Sequence, residues 1–167
     1  MSTRHPPRLS ASLYRGIQRY FLTICCIERQ RLFMDALARD LVIRELRRTS
    51  KTHRLAVLAY CLMPAHLHFV AEAEADGADL LAFVHRFKQA TGYQWKRQHR
   101  RQLWQPSFYD HVLRDSEDTR AVVRYVLENP VRAGMVTVPA DYPHCGSFVY
   151  DRTALMEWAF GWQRADT

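Results

Sequence analysis

Apolar residues along the chain fall alternately into short β-forming runs and helical stripes. Tyr20-Phe21-Leu22-Thr23-Ile24-Cys25-Cys26 is dense in β-formers and predicts a first strand. From Asp35 to Ser50, Leu37, Leu41, Val42 and Leu46 recur at helical spacing, while Arg39, Arg44, Arg47, Arg48 and Lys51 occupy the other face. Leu55 to Leu62 predicts a second strand and His66 to Ala73 a third. Met63-Pro64-Ala65 between them is short enough for a hairpin. Asp76-Gly77-Ala78-Asp79 opens a helix expected to run to about Gln98, and Phe108 to Leu113 predicts a fourth strand. Ser116-Glu117-Asp118 caps a further helix, expected to stop at Asn129 because Pro130 disfavours helical geometry before it. A short helix near Val131 to Val136, a proline-marked loop and a helix near Thr153 to Gln163 complete the chain. The strand–helix–strand–strand–helix–strand order predicts an α+β fold. It is the ferredoxin-like βαββαβ arrangement, an antiparallel sheet with helices mainly on one face, followed by C-terminal helices.

Composition bounds this picture. The chain has 167 residues, enough for one domain, and no internal repeat is visible. Residues 1–15, containing His5-Pro6-Pro7-Arg8, predict a flexible basic arm, and 16–167 a single domain. Apolar residues at 48% and charged residues at 25% exclude a disordered chain. Lys and Arg number 24 against 17 Asp and Glu, a net charge of +7 that favours an anionic partner. Cys25, Cys26, Cys61 and Cys145 have neither zinc-knuckle nor disulfide-framework spacing, so reduced, mostly buried thiols are expected. The N-terminus has no apolar leader, and the longest apolar run, Tyr20 to Ile27, is too short to span a bilayer. A soluble, cytoplasmic protein is the expectation.

Three features carry candidate chemistry. His66 and His68 flank Leu67 in the third strand, so both imidazoles share a face and can reach one metal ion while Leu67 anchors the strand. Alone, such a pair is more often two histidines on a sheet face. Tyr125 and Asn129 are four residues apart, one turn on one helix face. Tyr125 lies about 130° from the centre of the stripe formed by Val122, Val123, Val126 and Leu127, so it is not a core aromatic. Alone, this pair is more often an exposed tyrosine and a helix-ending asparagine. Third, no acidic residue occurs between Asp79 and Asp110. That stretch holds Arg86, Lys88, Lys96, Arg97, Arg100 and Arg101, with Phe83, Phe87, Tyr93, Trp95 and Trp104 interleaved. Cations neutralise phosphates and exposed rings stack unpaired bases, so nucleic acid is the expected partner.

Taken together these residues resemble a known family. Tyr60-x-x-Met63-Pro64-x-His66-x-His68, Trp104-Gln105-Pro106-x-Phe108-Tyr109-Asp110-His111 and Tyr125-x-x-x-Asn129-Pro130-Val131-Arg132-Ala133-Gly134 occur in the order found in the REP-associated tyrosine transposases. These belong to the HUH single-strand transposase superfamily. The match runs from about Tyr20 to Ser147; Ala65 stands where the family usually has Asn, and the segment after Phe148 matches less well. The resemblance implies that His66, His68 and Asn129 ligate Mg²⁺ or Mn²⁺ and that Tyr125 is the nucleophile. It implies cleavage and rejoining of single-stranded DNA at palindromic hairpins through a 5′-phosphotyrosine intermediate. Basic residues on two segments, Arg44, Arg47, Arg48 and Lys51 with Arg86, Lys88, Lys96, Arg97, Arg100 and Arg101, are the expected hairpin contacts. Monomer and homodimer both remain open.

A phenol is mostly protonated at neutral pH, so the metal or a nearby base must assist; the sequence does not say which. A rival reading is a catalytically silent module that binds hairpin DNA or regulates. The basic segments fit it equally, but a degraded site should have lost at least one of His66, His68, Tyr125 and Asn129, and all four are present. A ferredoxin-like sheet also serves RNA recognition, yet the third strand carries histidines where that motif has aromatics.

Overall fold

A computed structural model describes residues 17–114 and 117–161. The N-terminal arm predicted over residues 1–15 lies outside them. The elements are β1 (Arg19–Cys25), α1 (Ala36–Thr52), β2 (Leu55–Met63), β3 (His66–Ala73), α2 (Leu80–His99), β4 (Tyr109–Leu113), α3 (Thr119–Leu127), α4 (Asn129–Arg132), β5 (Cys145–Gly146) and α5 (Arg152–Phe160). The strands form one sheet in the order β4-β1-β3-β2-β5, and each neighbouring pair is antiparallel. Local chemistry sets the helix starts. The carboxylates of Asp35, Asp79, Asp118 and Asp151 accept first-turn amide N–H groups of α1, α2, α3 and α5.

The sheet separates two cores. On one face Leu22, Ile24, Leu67, Phe69 and Ala71 pack under Leu41, Val42 and Leu46 of α1 and Phe83, Val84 and Phe87 of α2. On the other, Ala59, Cys61 and Val70 pack against Val123, Val126 and Leu127 of α3 and Leu155, Met156 and Ala159 of α5. Helices therefore cover both faces, and the second layer comes from the elements that follow the βαββαβ unit. A register irregularity between Val57 and Ala59 changes the alternation of β2. Leu55, Val57 and Leu62 thus join the first core while Ala59, Cys61 and Met63 join the second.

Two departures from the predicted elements have physical causes. α3 ends at Leu127, and the chain passes through Glu128, itself helical at φ −81° and ψ −7°, straight into α4. Pro130 is accommodated at the start of that second helix, where its missing N–H is not needed. Gly134, at φ 69°, then ends α4 in a conformation that disfavours other residues. β5 was not predicted, since two residues hold no periodicity. Among the described residues no helix is long and apolar enough to cross a membrane.

The segment between α2 and β4 is pinned to the end of the sheet where β3 begins. Trp104 bridges to Cys26, whose own N–H donates to Ala65 O. The Trp104 indole Nε1 donates to Thr91 Oγ1 at 2.7 Å, and that hydroxyl donates to Phe87 O at 2.7 Å; both residues are buried. Thr91→Val keeps the shape but leaves the indole N–H without a partner. It is expected to cost about 1–3 kcal/mol, read as a lower urea midpoint with an unchanged slope.

Candidate active site

β3 alternates between the two cores, and its polar side faces α3. The His66 and His68 ring centroids lie 4.5 Å apart with their planes at 76°. His68 Nδ1 is 2.7 Å from the hydroxyl of Thr23, its register partner on β1. Tyr109, Thr23, His68, Cys61 and Cys145 form one row across all five strands. Burial pushes the His68 imidazole down to about 3, helped by the neighbouring His66 and by Arg132. His66 is lowered by burial and then by Arg29. Both rings are therefore neutral at pH 7, the form that offers a lone pair to a cation.

Tyr125 stands on α3 with its side chain about half exposed (49%). Phe21 of β1 links it to the histidines. The Phe21 ring stacks on His68 at 5.8 Å and meets Tyr125 edge-on at 5.9 Å, with Tyr109 on a further edge at 6.1 Å. Asn129 lies one turn beyond Tyr125, and its Nδ2 donates to the carbonyls of Tyr125 and Val126, each at 3.1 Å. It thus closes the end of α3, and its Oδ1 takes no part in those two bonds. The Arg132 guanidinium lies 4.1 Å from the centre of the Tyr125 ring and donates to Tyr125 O at 2.6 Å. His111, within the quoted Trp104–His111 run, pairs with Phe21 across the sheet and is engaged by Glu117 Oε1 at 2.8 Å.

The histidine pair fits a divalent cation in its chemistry, with two adjacent neutral imidazoles. Among the described residues no group of three or more His, Cys, Asp or Glu side chains is placed to hold an ion. Asn129, the further ligand expected from the resemblance, is an amide and falls outside those residue types.

The expected DNA contacts lie elsewhere. α1 and α2 cover the sheet face opposite Tyr125, so Arg44, Arg47, Arg48, Lys51 and the α2 cations are not gathered at the histidines. All of them except Lys88 are exposed. Several are already engaged. Arg48 pairs with buried Glu45 at 2.7 Å, Arg44 donates to Gln94 at 3.1 Å, and Arg86 donates to Gln89 at 3.3 Å. Arg47, Arg97 and Arg101 lie over the rings of Phe148, Tyr93 and Trp95. The Lys88 ammonium donates to the carbonyls of Gln105 and Pro106, each at 2.8 Å, and so braces the segment before β4. Lys51, Lys96 and Arg100 stand exposed at the helix ends.

Residues 17–129, about two thirds of the chain, match the family described as Transposase IS200 like. The chain belongs to this family. It is therefore an enzyme of the transposase class, and the resemblance seen in its motifs extends to particular relatives. A Haemophilus influenzae protein provisionally named a REP-associated tyrosine transposase is 27% identical over 140 residues, covering 75% of this chain and 77% of that one. The Escherichia coli REP-associated tyrosine transposase is 29% identical over 89 residues, covering 51% and 50%. The structure of a REP-associated tyrosine transposase bound to a REP hairpin superposes with a TM-score of 0.68 at 20% identity, over 87% of this chain and 82% of that one. The last match shows a shared fold.

Phe21 and Thr23, which lie outside the quoted motifs, also meet these side chains, as do Tyr109 and Arg132, which the motifs contain without assigning them a part. Arg132 had a helical signal as well: it lies seven residues after Tyr125, two turns along the same face. His68 also makes the fold acid-sensitive. Its folded value is depressed to about 3, so below about 6.5 the unfolded chain takes up a proton that the folded chain refuses. Each pH unit from there toward 3 removes about 1.4 kcal/mol of stability, and the loss levels off below 3. With chelator present, the urea midpoint of the wild type is expected to fall more between pH 7 and pH 5 than that of His68→Asn.

Proposed function

We propose that the chain is a metal-dependent single-stranded DNA endonuclease and strand transferase acting at palindromic hairpins through a 5′-phosphotyrosine. The observation that carries the reading is the placement of Tyr125 and His68 on the same aromatic ring, Phe21, at 5.9 and 5.8 Å. A half-exposed phenol and a cation-competent imidazole pair thereby meet across one ring in a chain of the transposase family.

His66 and His68 would hold Mg²⁺ or Mn²⁺ together with the Asn129 amide oxygen. When bound, the ion supplies Lewis-acid polarisation of the scissile phosphate. The chain's own residues do the rest. Thr23 occupies His68 Nδ1 and so leaves Nε2 for the ion. Phe21 holds the Tyr125 ring edge-on and keeps the phenol at a constant offset from the imidazoles. Tyr125 Oη attacks phosphorus; the bond to the 3′-oxygen breaks, and a 3′-hydroxyl leaves. The phosphotyrosine keeps the energy of the phosphoester, so a second 3′-hydroxyl can attack it and rejoin strands without net hydrolysis. The exposed cations of α1, of α2 and of the two residues after it (Arg44, Arg47, Arg48, Lys51, Arg86, Lys96, Arg97, Arg100 and Arg101) would hold the hairpin. The two segments belong to one layer, which supports a shared role in gripping a duplex stem. A REP hairpin is what the structural relative carries.

Labelled single strands from the flanks of the gene, incubated with Mn²⁺ and run on a denaturing gel, test the reaction. Wild type is expected to give a shifted covalent band that EDTA abolishes. Tyr125→Phe is expected to lose the band while keeping hairpin affinity within about three-fold, since one exposed hydroxyl adds little to a phosphate-dominated interface. His66→Ala and His68→Ala are each expected to lose both the band and Mn²⁺ binding measured by calorimetry. Tight hairpin binding with no band under any metal would instead establish a non-catalytic binding module.

A further inference from the structure

Arg132 extends from α4 along the face of Tyr125. Its guanidinium makes three contacts there: the Tyr125 ring at 4.1 Å, the Tyr125 carbonyl at 2.6 Å and Glu128 Oε2 at 3.4 Å. The two polar contacts take two of the five N–H donors that an arginine carries. The side chain nevertheless remains 41% exposed, on the side where Tyr125 is itself about half exposed. Its charge also reaches His68 in the neighbouring strand, where it helps to keep the imidazole neutral. Arg29 acts in the same sense on His66, but it is Arg132 that also lies against the tyrosine ring. One solvent-facing cation is thus fixed beside the nucleophile and within electrostatic reach of the candidate metal ligands. A phosphodiester brought between Tyr125 and His68 must place its non-bridging oxygens there. The planar fork of arginine suits two such oxygens. A guanidinium held by α4 before substrate arrives needs little reorganisation as charge develops.

We propose that Arg132 is a catalytic residue that binds a non-bridging oxygen of the scissile phosphodiester while Tyr125 attacks it. The proposal rests on the nicking reaction inferred above. In that step the Tyr125 Oη–phosphorus bond forms and the phosphorus–O3′ bond breaks. The phenol proton ends on the 3′-oxygen, and Arg132 keeps its own protons throughout. No oxidant or further reactant is needed.

The test uses the full chain and a strand whose cleavage position is mapped from the wild-type adduct. Arg132→Gln is expected to slow adduct formation about 100-fold or more at saturating Mn²⁺, with affinity for the hairpin alone, lacking the scissile strand, within about three-fold. A merely structural role could also slow the reaction, so a binding cycle in the non-cleaving Tyr125→Phe background separates the two. There, replacing the scissile phosphodiester by a neutral methylphosphonate is expected to weaken binding about ten-fold or more when Arg132 is present. The loss is expected to be less than about two-fold when Arg132→Gln is added. A wild-type rate for Arg132→Gln overturns the proposal. So does an equal methylphosphonate penalty in both backgrounds, which would leave Arg132 a brace for the tyrosine. Should Arg132→Gln unfold, Arg132→Lys enters the same cycle, retaining the charge but losing the fork, and is expected to show an intermediate penalty. Absence of any adduct from wild type would defeat the nicking reaction and this proposal together. An adduct formed equally by wild type and Arg132→Gln would defeat the proposal alone.

Discussion

Alternation along β3 is the constraint on which the site depends. Leu67, Phe69 and Ala71 are buried under α1 and α2, and that leaves His66 and His68 on the opposite face, turned toward α3. A one-residue slip in register would exchange two imidazoles for a leucine and a phenylalanine on both sides of the sheet. The hydrophobic core beneath thus sets the position of the polar pair above. The burial that accompanies it also fixes their protonation. A charged imidazole in that layer would need solvation that the fold does not supply, so the rings stay neutral and available as ligands.

The neighbouring strands complete what β3 begins. β1 supplies Thr23 to orient His68 and Phe21 to link the histidines to the tyrosine. The irregularity between Val57 and Ala59 lets β2 send Leu55, Val57 and Leu62 to one core and Ala59, Cys61 and Met63 to the other. α3 rests on this layer through Val123, Val126 and Leu127, which turns Tyr125 to the rim rather than inward. α4 continues the helical path without a break, and so Asn129 and Arg132 stay on the tyrosine's side. The basic helices belong to the other layer. A strand held by their cations reaches Tyr125 only by passing round the sheet, and residues 103–107 lie at the end where β3 begins.

Much of this was legible in the chain. The strand run His66–Ala73 and the helical stripes of α1 and α2 are long enough to be read, and their limits agree with the structure to within a few residues. The offset of Tyr125 from its apolar stripe correctly placed it outside the core. β5 was illegible because two residues carry no pattern. Lys88 read as one more cation in a basic run, whereas three nearby carbonyls occupy its ammonium. Sequence shows the charge of such a side chain but not what is folded against it.

The sequence by itself determined the elements other than β5 and the division of α3 from α4, the histidine pair on one strand face, the tyrosine and asparagine one turn apart and the family whose motifs they match. These are local matters, settled by side-chain periodicity and by residues within one turn of each other. The tertiary structure decided which distant residues meet. Thr23 reaches His68 across 45 positions of sequence, and Phe21 of the first strand joins His68 to Tyr125 of the third helix. Such pairings follow from strand register and from the packing of helices onto two opposed cores. No local periodicity records them, because each depends on how much apolar surface the whole chain can bury at once.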